Sequence, residues 1–372
     1  MIGEKQNINK KHYFCTQNTV MPNIFTNDIS IDKNNSFNAI RIICCLAVVF
    51  GHCLTLSGQG DYGQSFFLNF SINTFFILSG FFVTRSYLLH FCNVSVFSFF
   101  KHRALRIFPS YLCAVLFCAI LPYFFCSSTF CQYFLSLTFW KYSFCNILTL
   151  NFICPSPVSA NGGALFGLPI NGALWTIKIE VAFYLALPLI IWGWSRMKTI
   201  RSKNIFLAVL YILSVTWDAS LNHIGAETGN KFIILLAHQF PAFISFFVAG
   251  GWFALNYRYA RHIENRIVIP ALLMFIGGHL LHTDVLQPAT LTIMILWLGF
   301  HTPFLSSIGQ SRDFSYEIYL FHCPIIVILT HCGWFALSFI GGCLSALAIT
   351  IPLALVVWHI SAKTKLFYTK GS

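Results

Sequence analysis

Charge is what this sequence has least of. Only 9% of its 372 residues are charged, and Asp and Glu number 11 in all, whereas an average soluble domain is about 25% charged. That excludes an ordinary water-soluble enzyme, and the formal excess of +12 reads first as membrane topology and not as nucleic-acid binding. CxxC pairs and zinc-type Cys/His spacings are missing despite 14 cysteines, so no metal is expected. The ten-residue alternation of an outer-membrane barrel is missing as well. Residues 1–36 lack the apolar core of a signal peptide and are expected to be a disordered cytoplasmic tail.

What is present is apolar. Hydrophobic residues make up 57% of the chain, Phe alone numbers 41, and the mean hydropathy is +0.71. Apolar runs of about 20 residues recur. They predict an all-α, polytopic membrane bundle of about ten transmembrane helices, at 38–57, 66–89, 104–125, 172–195, 204–221, 232–256, 267–282, 286–306, 314–332 and 335–360. With the N-terminus inside, the outer loops keep only Lys141 and Lys231, while Arg41, Arg85 and Lys178 lie within spans. The other eighteen of the 23 Lys and Arg fall on the inner side, a strong positive-inside bias. The expected organisation is a tail over 1–36, a membrane domain over 37–360 and a cytoplasmic tail over 361–372, with both termini inside. Residues 126–171 would invert every later loop if they crossed. They are read as an external re-entrant or interfacial segment ending in a Pro/Gly/Ser/Asn loop that suits either a substrate-binding lid or an ordinary unstructured connector. Cys126, Cys131, Cys145 and Cys154 in this region can form a disulfide if it faces an oxidising compartment; the buried cysteines read as small hydrophobes.

Four constellations carry candidate chemistry. In AIRIICCLAVVFGHCLTL, Arg41 and His52 are eleven residues apart, which puts them on one helical stripe about 16 Å apart along the axis. Arg103 and Arg106 form an i, i+3 pair at the inner end of the third span, suited to phosphate oxygens. Together with Arg41 they make an inner vestibule for an anionic cytosolic ligand. In ALWTIKIEVAFYLALPLI, Glu180 is a carboxylate within an apolar span, with Tyr184 one turn deeper on its face. In SYEIYLFHCPII, His322 follows the start of its span. Helical rise puts His52 and Glu180 at about 20 Å above the inner surface and His322 at about 12 Å, a layering with the arginines at the mouth and a general-base pair further out. Buried ionisable groups of this kind also fit a transporter or flippase, although no inverted repeat is visible.

With these motifs in order, the chain resembles the membrane-bound acyltransferase-3 family of bacterial surface-glycan O-acyltransferases, over residues 36–360. The family's Arg-x10-His matches Arg41 and His52, and its FFxxSGF matches Ser79 and Gly80. Its Arg-x-x-Arg matches Arg103 and Arg106. Its lWtlxvExxFYlxxPl matches Trp175, Glu180, Phe183, Tyr184 and Pro188, and its SYxiYLxH matches Ser315, Tyr316, Tyr319 and His322. The chain departs from the pattern in SINTFF, which lacks an acidic residue before the Phe pair, and at Lys178. The resemblance implies an acyl-CoA donor, usually acetyl-CoA, reached from the cytoplasm. It further implies transfer to a hydroxyl of an exported or lipid-linked glycan at the bacterial inner membrane. His52 and Glu180 are then the expected catalytic pair, with His52 either the base or the acyl carrier. Arg41, Arg103 and Arg106 are expected to hold the CoA phosphates, and Tyr184, His322, Trp175 and Ser79 to position substrate.

Overall fold

A computed structural model describes residues 35–60, 64–91, 95–150, 166, 170–281, 283–309 and 313–370. Every regular element among the described residues is helical. In chain order these are α1 (Phe37–Leu56), α2 (Gln64–Ser86), α3 (Val96–Ile120), α4 (Phe130–Phe134), α5 (Leu137–Ile147), α6 (Trp175–Arg196), α7 (Ile200–Thr228) and α8 (Lys231–Ala237). They continue with α9 (Phe240–Leu255), α10 (Tyr257–Arg261), α11 (Asn265–Leu280), α12 (Gln287–His301), α13 (Ser315–His331), α14 (Trp334–Leu337) and α15 (Phe339–Lys370).

All ten expected spans fall on helices, but they are not equal. Among the described residues seven helices are long and apolar enough to cross a membrane. The helices α11, α12 and α13 have 16, 15 and 17 residues, or about 22–26 Å at 1.5 Å per residue, short of a bilayer core of about 30 Å. The expected count of about ten transmembrane helices is therefore not confirmed; seven among the described residues are of full length. The awkward segment resolves into α4 and α5, of 5 and 11 residues, too short to span. Both are started by side-chain caps: Thr129 and Gln132 form a capping box, and Ser136 Oγ accepts from the Phe139 amide, which satisfies amides a helix start leaves open. Cys145 in α5 is disulfide-bonded, whereas Cys126 and Cys131 are free. Most of the presumed lid, 151–165 and 167–169, and nearly all of the N-terminal tail lie outside the described residues. Helix α15 continues through the segment expected to be the C-terminal tail.

Burial sorts the helices into a centre and a rim. Helix α13 is buried along almost its whole length. In contrast, α7, α11 and α15 expose Ile212, Leu213, Leu273, Ile276, Leu344 and Val356, as a lipid-facing helix does where its outer surface needs no polar face. The centre is pulled together by small residues. A Cβ on Gly80 of α2 would sit 2.0 Å from the Phe247 carbonyl oxygen of α9, and one on Gly250 would sit 2.2 Å from the Ile77 oxygen. The two backbones therefore touch, which glycine alone permits. At the N-terminal end of α1, Ser36 anchors the helix to the end of α12: its amide donates to the Gly299 carbonyl at 2.8 Å, and its hydroxyl donates to that of Thr302. Phe37 fills the space that Gly299 leaves open.

Candidate active site

Helices α1, α2, α3, α6 and α13 wall a cavity of about 990 Å³. Arg41, Arg103, Arg106, Glu180, Tyr184 and Ser79 all line it, so six of the nine residues singled out in the sequence converge on one chamber. The local reasons differ. Arg41 enters from the first turn of α1, held by the Asn38 side-chain oxygen at 3.2 Å and by Asp313 at 3.6 Å, with its guanidinium 4.7 Å from the Phe82 ring centroid. Arg103 is buried; its Nη2 donates to Ser86 Oγ at 2.8 Å, and its guanidinium lies 5.7 Å from the Tyr184 ring. Arg106, one turn along α3, is exposed at the mouth beside Lys101 and His102. Glu180 accepts a short hydrogen bond from the Tyr184 hydroxyl one turn later, and its carboxylate interacts electrostatically with Arg41 and Arg103. Ser79 Oγ is buried without a hydrogen-bond partner, an unspent polar group beside the chamber. Arg41, Arg103, Arg106 and Lys101 outnumber the carboxylates of Glu180, Asp313 and Glu317 by one in the lining, which leaves the chamber weakly cationic, with donors forked for phosphate oxygens.

Both candidate histidines lie beyond the chamber wall. Tyr319 lines the chamber, and its hydroxyl bonds Thr176 Oγ1 at 2.8 Å and the Ala173 carbonyl at 3.2 Å. The His322 ring is 5.7 Å from that of Tyr319 and 5.0 Å from that of His52. His52 and His322 thus face each other at one depth, not stacked one above the other as helical rise suggested. A 17-residue α13 need not begin at the membrane surface, so counting residues from its first turn misplaces His322. Glu180 departs from expectation in the opposite sense: it sits with the arginines, and among the described residues no hydrogen bond or ion pair joins it to His52. Trp175 is half-buried against Phe243, with ring centroids 5.5 Å apart, and does not line the chamber.

The imidazole of His322 has a defined tautomer. Its Nδ1 lies 2.8 Å from the Tyr319 carbonyl and 3.3 Å from that of Ile318. Carbonyls only accept, so Nδ1 carries the proton and Nε2 keeps a free lone pair. That Nε2 lies 3.3 Å from Cys323 Sγ. The ring nitrogens and sulfur of His52, His322 and Cys323 all lie within 4.8 Å of one another. Spacing along the chain gave no sign of this cluster, because α1 and α13 meet only in the folded bundle.

A family model described as an acyltransferase domain matches residues 34–359 of this chain. The chain belongs to that acyltransferase family. It is 28% identical over 337 residues to Nodulation protein 10 of Rhizobium leguminosarum bv. viciae, covering 83% of this chain and 87% of the relative. It is 25% identical over 357 residues to the O-acetyl transferase of Shigella phage Sf6, covering 91% and 98% respectively. No solved structure is significantly similar. Membership makes the chain a membrane acyltransferase and disposes of the transporter reading.

Sequence reasoning missed four residues of this acyltransferase's site: Asp313 beside Arg41, Thr176 beneath Tyr319, Glu317, and Cys323. Glu317 is buried and accepts from Ser110 Oγ at 2.6 Å. Thr176 and Cys323 carried a local signal, as the residues directly after Trp175 and His322 of the two motifs. Replacing Thr176 by valine keeps the volume but removes the hydroxyl that holds Tyr319. About three- to tenfold lower turnover at unchanged donor affinity is expected, in line with one lost hydrogen bond of about 1 kcal/mol; steady-state kinetics of acyl transfer checks it.

Proposed function

We propose that this acyltransferase takes an acyl group, most simply acetyl, from acyl-CoA on the cytoplasmic side of the bacterial inner membrane. It delivers that group to a hydroxyl of an exported or lipid-linked glycan. The observation that carries the reading is the cationic chamber. Arg41, Arg103 and Arg106 line one end, its volume suits a nucleotide-bearing thioester, and it ends at Tyr319, one turn before His322. Acetyl as the group is supported by the name of the phage relative, an O-acetyl transferase. The disulfide at Cys145 supports an oxidising, outward-facing position for α4 and α5. With α5 outside, both termini fall on the cytoplasmic side and the arginine mouth opens there.

In this reading the guanidinium groups hold the phosphates, and the pantetheine arm runs up the chamber, with the thioester at the Tyr319 end. The rise from Arg41 to His52, about 16 Å, is the length that arm must cover. A hydroxyl nucleophile has to lose its proton as it attacks the thioester carbonyl, and a neutral imidazole suits that task near pH 7. His322 offers Nε2 with the proton fixed on the opposite nitrogen, and His52 stands beside it to share the proton. Glu180, with Tyr184, balances and orients the arginines and does not steady His52.

Acetyl-CoA turnover by the purified enzyme in lipid nanodiscs tests the assignment. Replacing Arg103 and Arg106 together by alanine is expected to raise KM for acetyl-CoA by roughly 10²-fold or more, at about 1.5–3 kcal/mol per charge-assisted contact, and to lower kcat less. A wild-type enzyme that releases no CoA from acetyl-CoA with glycan acceptor present, or a double variant with unchanged KM, would rule the reading out.

A further inference from the structure

Tyr319 and Thr176 line the chamber, and one nucleophile sits behind them. Cys323 is fully buried on α13. Its Sγ lies 3.3 Å from His322 Nε2, the nitrogen left unprotonated by the Tyr319 carbonyl. The sulfur also accepts from the backbone N–H groups of Gly172 and Ala173. These amides open the 25-residue helical span Gly172–Arg196, the positive end of its dipole. The entry to that span is pinned to α13: Asn171 donates to the Leu320 carbonyl at 2.8 Å and accepts from the Ala173 amide at 3.2 Å. Sulfur, base and helix amides are thus held in register by the bond network that closes the top of the chamber. The other described thiols lack this setting. Cys45 donates to the Ser315 carbonyl, Cys118 accepts from Asn171, and Cys126 donates to the Tyr123 carbonyl; among the described residues only Cys323 meets an imidazole.

We propose that Cys323 is the acyl carrier of this enzyme, holding the acyl group as a thioester between the cytoplasmic donor and the outer acceptor. The inference rests on acyl-CoA as donor. In the first step the Cys323 sulfur attacks the CoA thioester carbonyl while His322 Nε2 takes the thiol proton. The carbonyl–S(CoA) bond breaks, and the proton passes to the departing CoA sulfur. One thioester replaces another, so the exchange is close to thermoneutral and needs no oxidant, reductant or further reactant. In the second step the acceptor hydroxyl attacks the Cys323 thioester, and the imidazole pair takes its proton and returns it to the Cys323 sulfur. The oxygen ester leaves toward the outer side. Nucleophile, general base and a third group orienting the base is the arrangement that activates such nucleophiles. Burial keeps water from the thioester between the steps. The carrier also removes a geometric difficulty: donor and acceptor approach from opposite sides of the Tyr319–Thr176 wall and need not meet.

The full-length enzyme in nanodiscs, given labelled acetyl-CoA without glycan acceptor, tests this. The expected result is about one label per chain, mapped by peptide mass spectrometry to Cys323, released by neutral hydroxylamine and discharged on adding acceptor. Cys323→Ser and Cys323→Ala should lose that label and transfer at least tenfold more slowly at wild-type membrane levels. Cys332→Ala, which removes an exposed thiol, should behave as wild type. Label on His52 or His322, or wild-type transfer by Cys323→Ala, would overturn the carrier while leaving acyl-CoA as donor. No CoA release by the wild type with acceptor present would overturn the donor assignment and the carrier together.

Discussion

Replacing His322 by alanine is expected to lower acyl transfer by roughly 10²–10⁴-fold, the usual contribution of a positioned general base, while KM for acyl-CoA stays within a few-fold. The split follows from where the groups sit. The arginines line the chamber with Glu180 and Tyr184, and the imidazoles lie past Tyr319, so the base can be removed without disturbing the phosphate contacts. His52→Ala is expected to fall in the same range, because its ring stands 5.0 Å from that of His322 and the two share one proton's path. A double variant should then be little worse than either single one, since residues acting as a unit are strongly non-additive. Mass spectrometry of the glycan ester, with membrane levels of each variant measured in parallel, reads the outcome. Full ester content in either single variant would remove the pair from the chemistry.

The second large effect is on folding. Gly80→Val is expected to destabilise the bundle by at least about 1–3 kcal/mol, the usual cost of overpacking, and by more if α2 and α9 must separate. The atoms in the way are the carbonyl oxygen and carbon of Phe247, at 2.0 and 2.8 Å from the new Cβ, and backbone cannot rotate aside as a side chain can. Gly250 presents the reciprocal problem to Ile77. The damage extends to the chamber, whose walls include Ser79 and Phe82 of the same helix. Gly277→Ala is the control: nothing lies within 4 Å of a Cβ there, and alanine in a helix interior is favoured over glycine by about 0.5–1 kcal/mol. Thermal unfolding in detergent should separate the two widely. A Gly80→Val enzyme melting with the wild type would mean that α2 and α9 do not meet as closely as described.

Much of this was legible in the sequence. Hydropathy and charge are additive along the chain, so the helical membrane bundle, the positions of the ten apolar segments and the non-crossing nature of 126–150 could be read directly. Arg41, Glu180 and Tyr184 could be nominated because a polar group in an apolar helix must answer to something nearby, Arg103 and Arg106 as an i, i+3 pair, and Ser79 only through the family resemblance. Depth, inferred from helical rise, was less dependable: it paired His52 with Glu180 and set His322 beneath them, because it assumed that every helix begins at a membrane surface. Helix α13, of 17 residues, breaks that assumption.

The sequence by itself determined that this chain is a helical membrane protein, which residues carry its charge within the bilayer, and, through its ordered motifs, the acyltransferase family. Tertiary structure alone decided which of those residues meet. It put Glu180 among the arginines, set His322 against His52, and brought Cys323, already next to His322 in the chain, to the first amides of the Gly172–Arg196 span. The reason is physical. Helical periodicity fixes the face a side chain takes on its own helix, whereas the neighbour it meets depends on how that helix is rotated and shifted against others. Here those settings come from contacts far apart in the chain, such as Gly80 against Phe247, Asn171 against Leu320 and Ser36 against Gly299.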